Sequence, residues 1–402
     1  MKLVFINTFK NGGGAAIACQ RLIESINLYQ PDIETKLIYQ TNTRILQKIQ
    51  NLASLIIEKG LLYFKIKNKN DIFKFSTSLI GRNLAKNKSI LEADIIHIHW
   101  TNNAFLSLQQ LKKIVELDKP IVWTMHDMWV FTGGCHYSRG CEEFKKDCEK
   151  CIYLKKDKIS VDQHSFKEEI FKNKNLNLVG CSKWISDLAK ESSIGNDKNI
   201  LNIPNPINGN KFKYTIPDKN ENLNYKTILL FTSANLNDPR KGLDVLLAAL
   251  NNQKNNTIHL ILVGKSKTPL NIPKHCSYET LGFISNEAEL IKIYNKADFF
   301  VCPSSEDNLP NTIMESLACG TPVLSFDIGG ISDLIQHKEN GFLVKNYGDL
   351  QENLATALDW AVENKTEFRK KKESISLDAR QKYSYLKISN DYINLYKRLL
   401  SN

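Results

Sequence analysis

The chain has 402 residues, of which 42% are apolar, and a formal net charge of +11. Because this length exceeds what one hydrophobic core usually supports, we expect two domains of about 200 residues each. No apolar run is long enough to span a bilayer, which argues against a membrane-spanning helix. The basic charge comes without a helix-turn-helix, an RNA-recognition signature or an aromatic-interleaved basic motif, so we expect no nucleic-acid partner.

The N-terminus and the cysteine count indicate a cellular compartment. Residues 1–7 form a short apolar segment that predicts a first strand rather than a signal peptide. Nine cysteines in a chain without an export signal argue against a disulfide framework and for a reducing environment. We therefore expect a cytoplasmic protein.

A glycine-rich segment follows this first predicted strand. Residues 9–14 read F-K-N-G-G-G, and a helix is predicted from Ala15 to Ile26. A glycine loop between a strand and a helix lets the backbone approach a phosphate or a sugar closely. The segment does not match G-x-G-x-x-G, so it does not predict a dinucleotide site. Many such loops are only tight turns, and that alternative stays open.

The segment from 44 to 88 combines basic and apolar residues at helical spacing. Its only acidic residues are Glu58 and Asp71, against the basic residues Arg44, Lys48, Lys59, Lys65, Lys67, Lys69, Lys74, Arg82, Lys86 and Lys88. A basic amphipathic helix can lie on an anionic membrane surface, which is one interpretation of this pattern. The alternative is a solvated lysine face whose apolar residues point to the core.

Two buried strands are predicted at 94–100 and at 120–124. His126 follows the second of them, at the carboxyl end where open α/β sheets bind ligands. A lone histidine is more often structural than catalytic, but its place at a strand end and the neighbouring Asp127 favour a functional role. His97 and His99 alternate with isoleucines on one side of their strand, so we expect them to pack in the core or in a wall of the site.

Four cysteines, Cys135, Cys141, Cys148 and Cys151, lie within seventeen residues at the spacing C-x5-C-x6-C-x2-C. The final C-x2-C is a chelating pair typical of zinc sites, and His136 offers a spare ligand. The residues between them are charged and poor in apolar side chains, so a metal could supply order that a core cannot. Four thiolates complete a tetrahedron, which predicts a structural rather than a catalytic zinc. The alternative is four free thiols in a surface insertion.

An extended connection separates the two predicted domains. Residues 200–208 contain two prolines and three asparagines, and residues 218–224, poor in apolar side chains, predict the linker. A strand at 227–232 then opens the second domain, and a helix is predicted from Leu243 to Leu250. Arg240 and Lys241 precede this helix, where paired cations favour binding of a diphosphate.

The segment from Ser304 to Pro322 lies between two predicted buried strands, at 297–302 and 321–326. It places Asp307 and Glu315 eight positions apart, across a turn that ends at Pro310 and leads into a helix. Asn311 and Thr312 are the candidates to cap that helix, whose N-terminus would favour a phosphate. The alternative is that Asp307 merely supports the cap and that Glu315 points to solvent. Two further helices are predicted at 348–372 and 379–400.

This segment resembles the E-x7-E signature of the retaining, nucleotide-sugar-dependent glycosyltransferases of family 4, with Asp307 in place of the first Glu and Asn308 where Gly is common. The resemblance covers nearly the whole chain and implies an α/β fold of the GT-B type, with two Rossmann-like domains facing across a cleft. It implies an acceptor-side domain at 1–208 with a Cys-rich insertion at 133–155, a nucleotide-sugar-binding domain at 209–375, and a C-terminal helix at 376–402 that packs back toward the first domain. The stretch H-D-M-W-x-F-T-G-G-C-H-Y from His126 resembles a subgroup of that family linked to bacterial polysaccharide assembly.

The resemblance also implies roles for individual residues. Glu315 would bind the ribose hydroxyls, Asp307 would meet the donor sugar, and His126 would contact that sugar near its hydroxymethyl group. The family usually separates its Arg and Lys, whereas Arg240 and Lys241 are adjacent here. The remaining residues implied to bind the donor are Gly13, Gly14, Arg240, Lys241, Asn308, Leu309 and Asn311.

The implied reaction moves a hexose from a UDP- or GDP-linked sugar to a hydroxyl of a growing, lipid-linked bacterial surface saccharide such as capsule or lipopolysaccharide, with retention of configuration. No D-x-D occurs in the sequence, so we expect no catalytic metal. The expected location is the cytoplasm, at the inner face of the cell membrane. Two alternatives stay open: a nucleotide-sugar epimerase of the same fold, and a non-catalytic protein that binds a membrane or a partner.

Overall fold

The computed structural model describes residues 1–41, 45–216, 226–253 and 257–401. The chain forms two compact units, one of Met1–Asn205 with Ile388–Asn402 and the other of Pro206–Lys387. The chain thus passes from the first unit to the second after Asn205, whereas the sequence placed this boundary after residue 208. Arg44 of the basic segment and the predicted linker at 218–224 lie outside the described residues.

Helices and strands alternate along much of the chain. Up to residue 205 they are β1 (Lys2–Ile6), α1 (Gly14–Tyr29), β2 (Glu34–Ile38), α2 (Ile45–Tyr63), α3 (Lys88–Glu92), β3 (Ile95–Ile98), α4 (Leu108–Val115), β4 (Ile121–Met125), α5 (Lys158–Phe171), β5 (Leu176–Gly180), α6 (Lys183–Glu191) and β6 (Leu201–Asn202). From residue 206 on they are β7 (Thr227–Asn235), α7 (Leu243–Asn251), β8 (Ile258–Lys265), β9 (Ser277–Thr280), α8 (Glu287–Lys296), β10 (Phe299–Cys302), α9 (Asn311–Ala318), β11 (Val323–Phe326), β12 (Gly341–Val344), α10 (Leu350–Lys382) and α11 (Tyr385–Ser401).

The first unit is built on a six-stranded sheet with the order β2-β1-β3-β4-β5-β6, in which all paired strands are parallel. Its inner strands β1, β3 and β4 are buried almost throughout, because both faces of the sheet are covered there. Leu3 and Phe5 point to one face and pack with Tyr392 and Tyr396 of α11, whereas Val4 and Ile6 belong to the core on the other face. The last helix therefore forms part of the core of the first unit.

The second unit repeats the architecture with the order β12-β11-β10-β7-β8-β9, again with parallel pairs. Both units therefore have the Rossmann-like α/β architecture that was predicted. In a parallel sheet the carboxyl ends of all strands lie at the same edge, so the residues that follow the strands lie there too. Ligands bind at this edge in such folds. Within each unit, this edge is the place to look for a functional site.

One boundary in this unit differs from the prediction. The sequence was divided into helices at 348–372 and 379–400, but α10 runs without a break to Lys382 and α11 begins at Tyr385. No glycine or proline stands between 372 and 379, and Lys372, Ile375 and Ser376 are buried along this stretch. The Ser376 hydroxyl also donates to the carbonyl oxygen of Ala318. Continuous packing on one side therefore keeps the helix intact.

Candidate active site

Polar side chains follow neighbouring strands at the carboxyl edge of the first sheet. His99 and Trp100 come directly after β3, and His126 and Asp127 come directly after β4. Because these two strands are paired, the side chains meet: Nδ1 of His99 lies 2.8 Å from Nε2 of His126. The indole N–H of Trp100 donates to Oδ2 of Asp127 at 2.8 Å. The strand ends thus form a connected polar group rather than separate residues.

The histidines of this group are held neutral by burial. Burial lowers the pKa of His126 to about 4, with Asp127 opposing the shift, and it lowers the pKa of His99 well below its ordinary value. His97 lies behind them in β3, where burial lowers its pKa to about 3. Its ring nitrogens bond to the hydroxyls of Tyr396 at 2.6 Å and Thr124 at 2.8 Å. At neutral pH His126 therefore presents an uncharged imidazole.

Asp127 connects the carboxyl edge of the first sheet to the Cys-rich segment. Its Oδ2 is 2.7 Å from Nδ1 of His136, and its Oδ1 accepts the backbone N–H of Trp129 at 2.9 Å. Burial alone would raise the pKa of Asp127. The neighbouring His136 and the hydrogen bonds that Asp127 accepts from Trp129 and Trp100 outweigh burial and hold this pKa below its ordinary value. Nε2 of His136 is 3.0 Å from the hydroxyl of Ser76. Both ring nitrogens of His136 are therefore engaged, and the sequence-based idea that it is a spare zinc ligand does not fit this arrangement.

The glycine-rich loop precedes α1 in the same unit. Gly12 and Gly13 have φ values of 90° and 82°, which L side chains rarely adopt. A Cβ built at either position would meet no heavy atom within 4 Å. Conformation rather than crowding therefore requires these glycines, and the loop faces open space. α1 begins at Gly14, so the backbone of Gly13 forms its N-terminal cap.

In the second unit, Lys241 and Asp307 form the central contact of the candidate site. Nζ of Lys241 is 2.6 Å from Oδ2 of Asp307, and Nη1 of Arg240 is 3.8 Å from the same oxygen. Nη1 of Arg240 also donates to the carbonyl oxygen of Glu306 at 3.1 Å. The two cations lie on a short 3-10 turn, Pro239–Lys241, that precedes α7. They thus share one face with the loop between β10 and α9.

Two glycines press on this loop from either side. A Cβ on Gly329 would lie 1.9 Å from the carbonyl oxygen of Asp307, and a Cβ on Gly242 would lie 2.0 Å from that of Pro303. Their φ values are 54° and 73°, in the left-handed region. Any side chain at these positions would displace the loop. The glycines therefore fix the backbone from which Asp307 reaches Lys241.

The loop leads into α9, whose first helical residue is Asn311 and whose cap is Pro310. Asn311 and Thr312 were predicted as caps, and this is corrected: Pro310 takes that position and makes no side-chain capping hydrogen bond. Asn308, Leu309 and Asn311 are buried in the described structure. Their proposed contact with a donor therefore rests on their backbone and on the small fraction of each side chain that remains exposed.

Glu315 lies on the second turn of α9 and is 5% exposed. The interpretation that it points to solvent is therefore wrong. The hydroxyl of Tyr294, on α8, donates to its Oε2 at 3.3 Å. Tyr294 was not singled out from the sequence, because nothing local relates a residue of α8 to one of α9.

The four cysteines lie together in the first unit and line one small cavity with Phe75 and Tyr153. Among the residues that the structure describes, no group of three or more His, Cys, Asp or Glu side chains already has an arrangement that could hold a metal ion. All four cysteines are free thiols.

Similar sequences are found both for the second unit and for most of the chain. Residues 226–364 match the model of the family described as "Glycosyl transferases group 1". The "Putative colanic acid biosynthesis glycosyl transferase WcaC" of Escherichia coli K12 is 25% identical over 383 residues, which cover 88% of this chain and 87% of that protein.

Solved structures of the same architecture cover the whole chain. Sucrose-phosphate synthase from Thermosynechococcus elongatus aligns with a TM-score of 0.68 at 15% identity, over 100% of this chain and 99% of its own. Anabaena Alr3699/HepE, solved in complex with UDP, aligns with a TM-score of 0.63 at 15% identity, over 99% of this chain and 100% of its own. The protein therefore has the GT-B class of fold. The family match and the E. coli relative identify it as a glycosyltransferase. The residues that match the group 1 model lie in the second unit.

Proposed function

We propose that the protein is a retaining hexosyltransferase of family 4 that moves a hexose from a UDP- or GDP-linked sugar to a hydroxyl of a growing bacterial surface saccharide. The observation that carries the proposal is the contact of Lys241 and Arg240 with Asp307, in the loop that leads into α9, the helix that carries Glu315. This arrangement offers cations for a diphosphate and carboxylates for the hydroxyls of a nucleoside and a sugar. Polysaccharide assembly is supported by the E. coli relative, which is named for colanic acid biosynthesis.

Lys241 and Arg240 would hold the diphosphate of the donor. In the free protein the ammonium of Lys241 pairs with Asp307, and a diphosphate would compete for that cation with a larger negative charge. Negative charge on the phosphate grows as the bond to the sugar breaks, so fixed cations stabilise the transition state more than the ground state. The N-terminus of α9, where the cap residue is Pro310, would add its N–H groups to the same task. The proposal needs no catalytic metal.

Glu315 would hold the ribose. A carboxylate accepts several hydrogen bonds, so it can take both hydroxyls of a ribose ring. The Tyr294 hydroxyl fixes one of its oxygens, and burial in α9 fixes the rest of the side chain. UDP is supported as a nucleotide by the UDP complex of the Anabaena neighbour.

His126 would position the donor sugar. Its imidazole is neutral and its Nε2 is already bonded to His99, so it acts as a hydrogen-bonding group and not as a cation. Asp307 would meet the sugar after Lys241 turns to the phosphate. We assign no carboxylate nucleophile, and the departing phosphate would assist the incoming hydroxyl on the same face of the sugar.

A donor panel tests this function. Incubation with UDP- and GDP-hexoses should release free nucleotide from one class of donor, and Glu315→Ala should weaken binding of that donor by on the order of 10- to 100-fold, as expected for a lost pair of charge-assisted hydrogen bonds. The matched control, Glu339→Ala, removes an exposed carboxylate of the same unit and should bind the donor as the wild type does. Folded protein that neither binds nor turns over any donor would contradict the proposal. Interconversion of donor sugars without an acceptor would indicate the epimerase instead.

The proposed acceptor is carried by a lipid, and the α2 helix offers a surface that would bring the enzyme to it. No described helix is long and apolar enough to cross a membrane. α2 nevertheless buries Asn51, Glu58 and Lys59 together with Leu62, and it turns most of its large apolar residues outward. The exposed ones are Ile45, Leu46, Ile49, Leu52, Ile56, Ile57, Leu61 and Tyr63. The interpretation in which these apolar residues point to the core is therefore wrong.

Specific contacts hold α2 in this orientation. The buried carboxylate of Glu58 accepts the backbone N–H groups of Thr77 and Ser78, at 3.2 and 3.3 Å. Nζ of Lys59 donates to backbone carbonyl oxygens, including that of Phe75 at 3.1 Å. An exposed apolar face of this extent marks an interaction surface. Exposed lysines beside it, at 48, 65, 67 and 69, complement an anionic lipid surface.

Vesicle binding tests this surface. The protein should sediment with vesicles that contain phosphatidylglycerol and not with vesicles of phosphatidylcholine alone. Replacing Leu46, Ile49 and Leu52 with Ser should weaken this binding by on the order of 100-fold, since three large apolar side chains then remain in water. Leu377→Ser, a control at an exposed leucine of α10, should leave it unchanged. Equal binding to both kinds of vesicle would contradict the preference for an anionic surface. Binding to neither kind, or a dimer that depends on the same three residues, would contradict a role at the membrane.

A further inference from the structure

The Cys-rich segment brings its four sulfurs to one enclosed space. Cys135, Cys141, Cys148 and Cys151 line a cavity of about 20 Å³, which is enough for one water-sized occupant. Cys148 and Cys151 are buried, and the other two are half-buried. The cavity lies in the first unit, away from the strand ends described above, and neither donor binding nor transfer uses it.

A hydrogen-bond donor points at one of these sulfurs. The backbone N–H of Gly133 donates to Sγ of Cys148 at 3.0 Å. A neutral thiol is a weak acceptor, whereas a thiolate accepts strongly. This donor therefore suits a thiolate at Cys148.

A buried lysine lies beside the same cysteines. Lys167, on α5, is 0% exposed, and its Nζ donates to the carbonyl oxygens of Trp129 and of Thr132, the latter at 2.8 Å. Within the described parts of the chain it forms no ion pair with a carboxylate. Burial lowers the pKa of Lys167 to about 7, and negative charges on Cys148 and Cys135 would oppose this shift. The ammonium form is costly to bury unless an opposite charge lies near, and thiolates at these positions would provide it.

The loop between the last two cysteines has an unusual backbone. Cys148 and Lys150 have φ values of 60° and 54°. Non-glycine residues rarely adopt the left-handed region and persist there where their surroundings impose it. A contact that holds both Cys148 and Cys151 would impose this conformation.

We propose that Cys135, Cys141, Cys148 and Cys151 bind one Zn²⁺ in a closed, tetrahedral, structural site. The four thiols would turn into the cavity to reach the ion. Four thiolates give the site a net negative charge, which Lys167 and the backbone N–H of Gly133 offset. The ion would brace the segment that carries His136, and through the bond of His136 to Asp127 it would steady the strand ends beside His126. The proposal does not depend on the identity of the donor or on turnover.

Metal analysis of the purified full-length protein tests the site. Mass spectrometry of the metals should find about one zinc per chain, as expected for a closed site with four thiolate ligands. Cys148→Ser and Cys151→Ser should each lower this content several-fold. The control, Cys276→Ser, changes a buried cysteine of the second unit and should keep the zinc. Iron in place of zinc, or a content near zero in folded wild-type protein, would overturn the proposal.

A second measurement covers the case in which the serine variants do not fold. Wild-type protein loaded with Co²⁺ should show the visible and charge-transfer bands of a tetrahedral four-thiolate complex. A chelator that removes the metal should make four more thiols reactive to a thiol reagent. A cobalt spectrum without thiolate bands, or two disulfides among these cysteines in non-reduced peptides, would contradict a zinc site.

Discussion

Replacing Lys241 with Ala is expected to lower kcat by on the order of 100- to 1000-fold, the usual effect of removing one fixed group that stabilises developing charge. Donor binding should weaken much less, because the charge on the diphosphate increases as the sugar departs. Arg240 is expected to keep its own contact with the diphosphate and not to take the place of Lys241, since its Nη1 is held by the carbonyl oxygen of Glu306. Steady-state release of nucleotide, measured over a range of donor concentrations, separates the effect on kcat from the effect on KM.

A control variant and a stability measurement accompany this test. Lys267→Ala removes an exposed lysine of the same unit and should leave both constants unchanged. The fold should tolerate Lys241→Ala, because the pair with Asp307 is partly exposed and such pairs contribute about 0–1 kcal/mol. A variant whose kcat stays within a few-fold of the wild type would contradict the role of Lys241. An equal loss in kcat and in thermal stability would assign it to folding instead.

The sequence predicted the two sheets and the residues that follow their strands. Apolar runs such as 95–98 and 299–302 are buried on both faces of a parallel sheet, and this is what a continuous apolar pattern indicates. The place of His126 directly after β4 follows from the end of such a run. These features depend on neighbours in the chain, so the chain alone contains the information.

The partners of the site residues could not be predicted in the same way. Lys241 and Asp307 are 66 positions apart, and His99 and His126 are 27 apart. Pairing of this kind depends on which strands are adjacent, and no local pattern fixes the order of strands. The cap at Pro310 was missed for a related reason: packing of α9 on its neighbours determines where the helix begins.

α2 shows a different limit. Its apolar spacing predicted an amphipathic helix, and on propensity alone the apolar side belongs in a core. The polar side is buried instead, because Glu58 and Lys59 satisfy backbone groups of the segment at 72–78. Contacts made by two charged residues therefore decide the orientation of the whole helix.

The first unit is expected to lose stability steeply as the pH falls below about 6.5, the ordinary pKa of histidine. Burial lowers the pKa of His97 to about 3 and of His126 to about 4, and it lowers the pKa of His99 as well. Below pH 6.5 the unfolded chain therefore binds protons that the folded unit does not. Each such histidine lowers the free energy of unfolding by about 1.4 kcal/mol per pH unit until its folded pKa is reached.

Urea unfolding followed by tryptophan fluorescence measures this slope, because Trp100, Trp123, Trp129 and Trp184 lie in the first unit and only Trp360 in the second. Between pH 6.5 and 4.5, His97→Gln should reduce the slope by about 1.4 kcal/mol per pH unit, the contribution of one histidine. Tyr396→Phe is the matched control: it removes the hydroxyl bonded to His97 but keeps the imidazole. It should lower stability by about 1 kcal/mol at every pH and leave the slope unchanged. The slope could instead be the same in His97→Gln as in the wild type. His97 would then gain its proton in the folded unit, and the conclusion that burial keeps it neutral would be wrong.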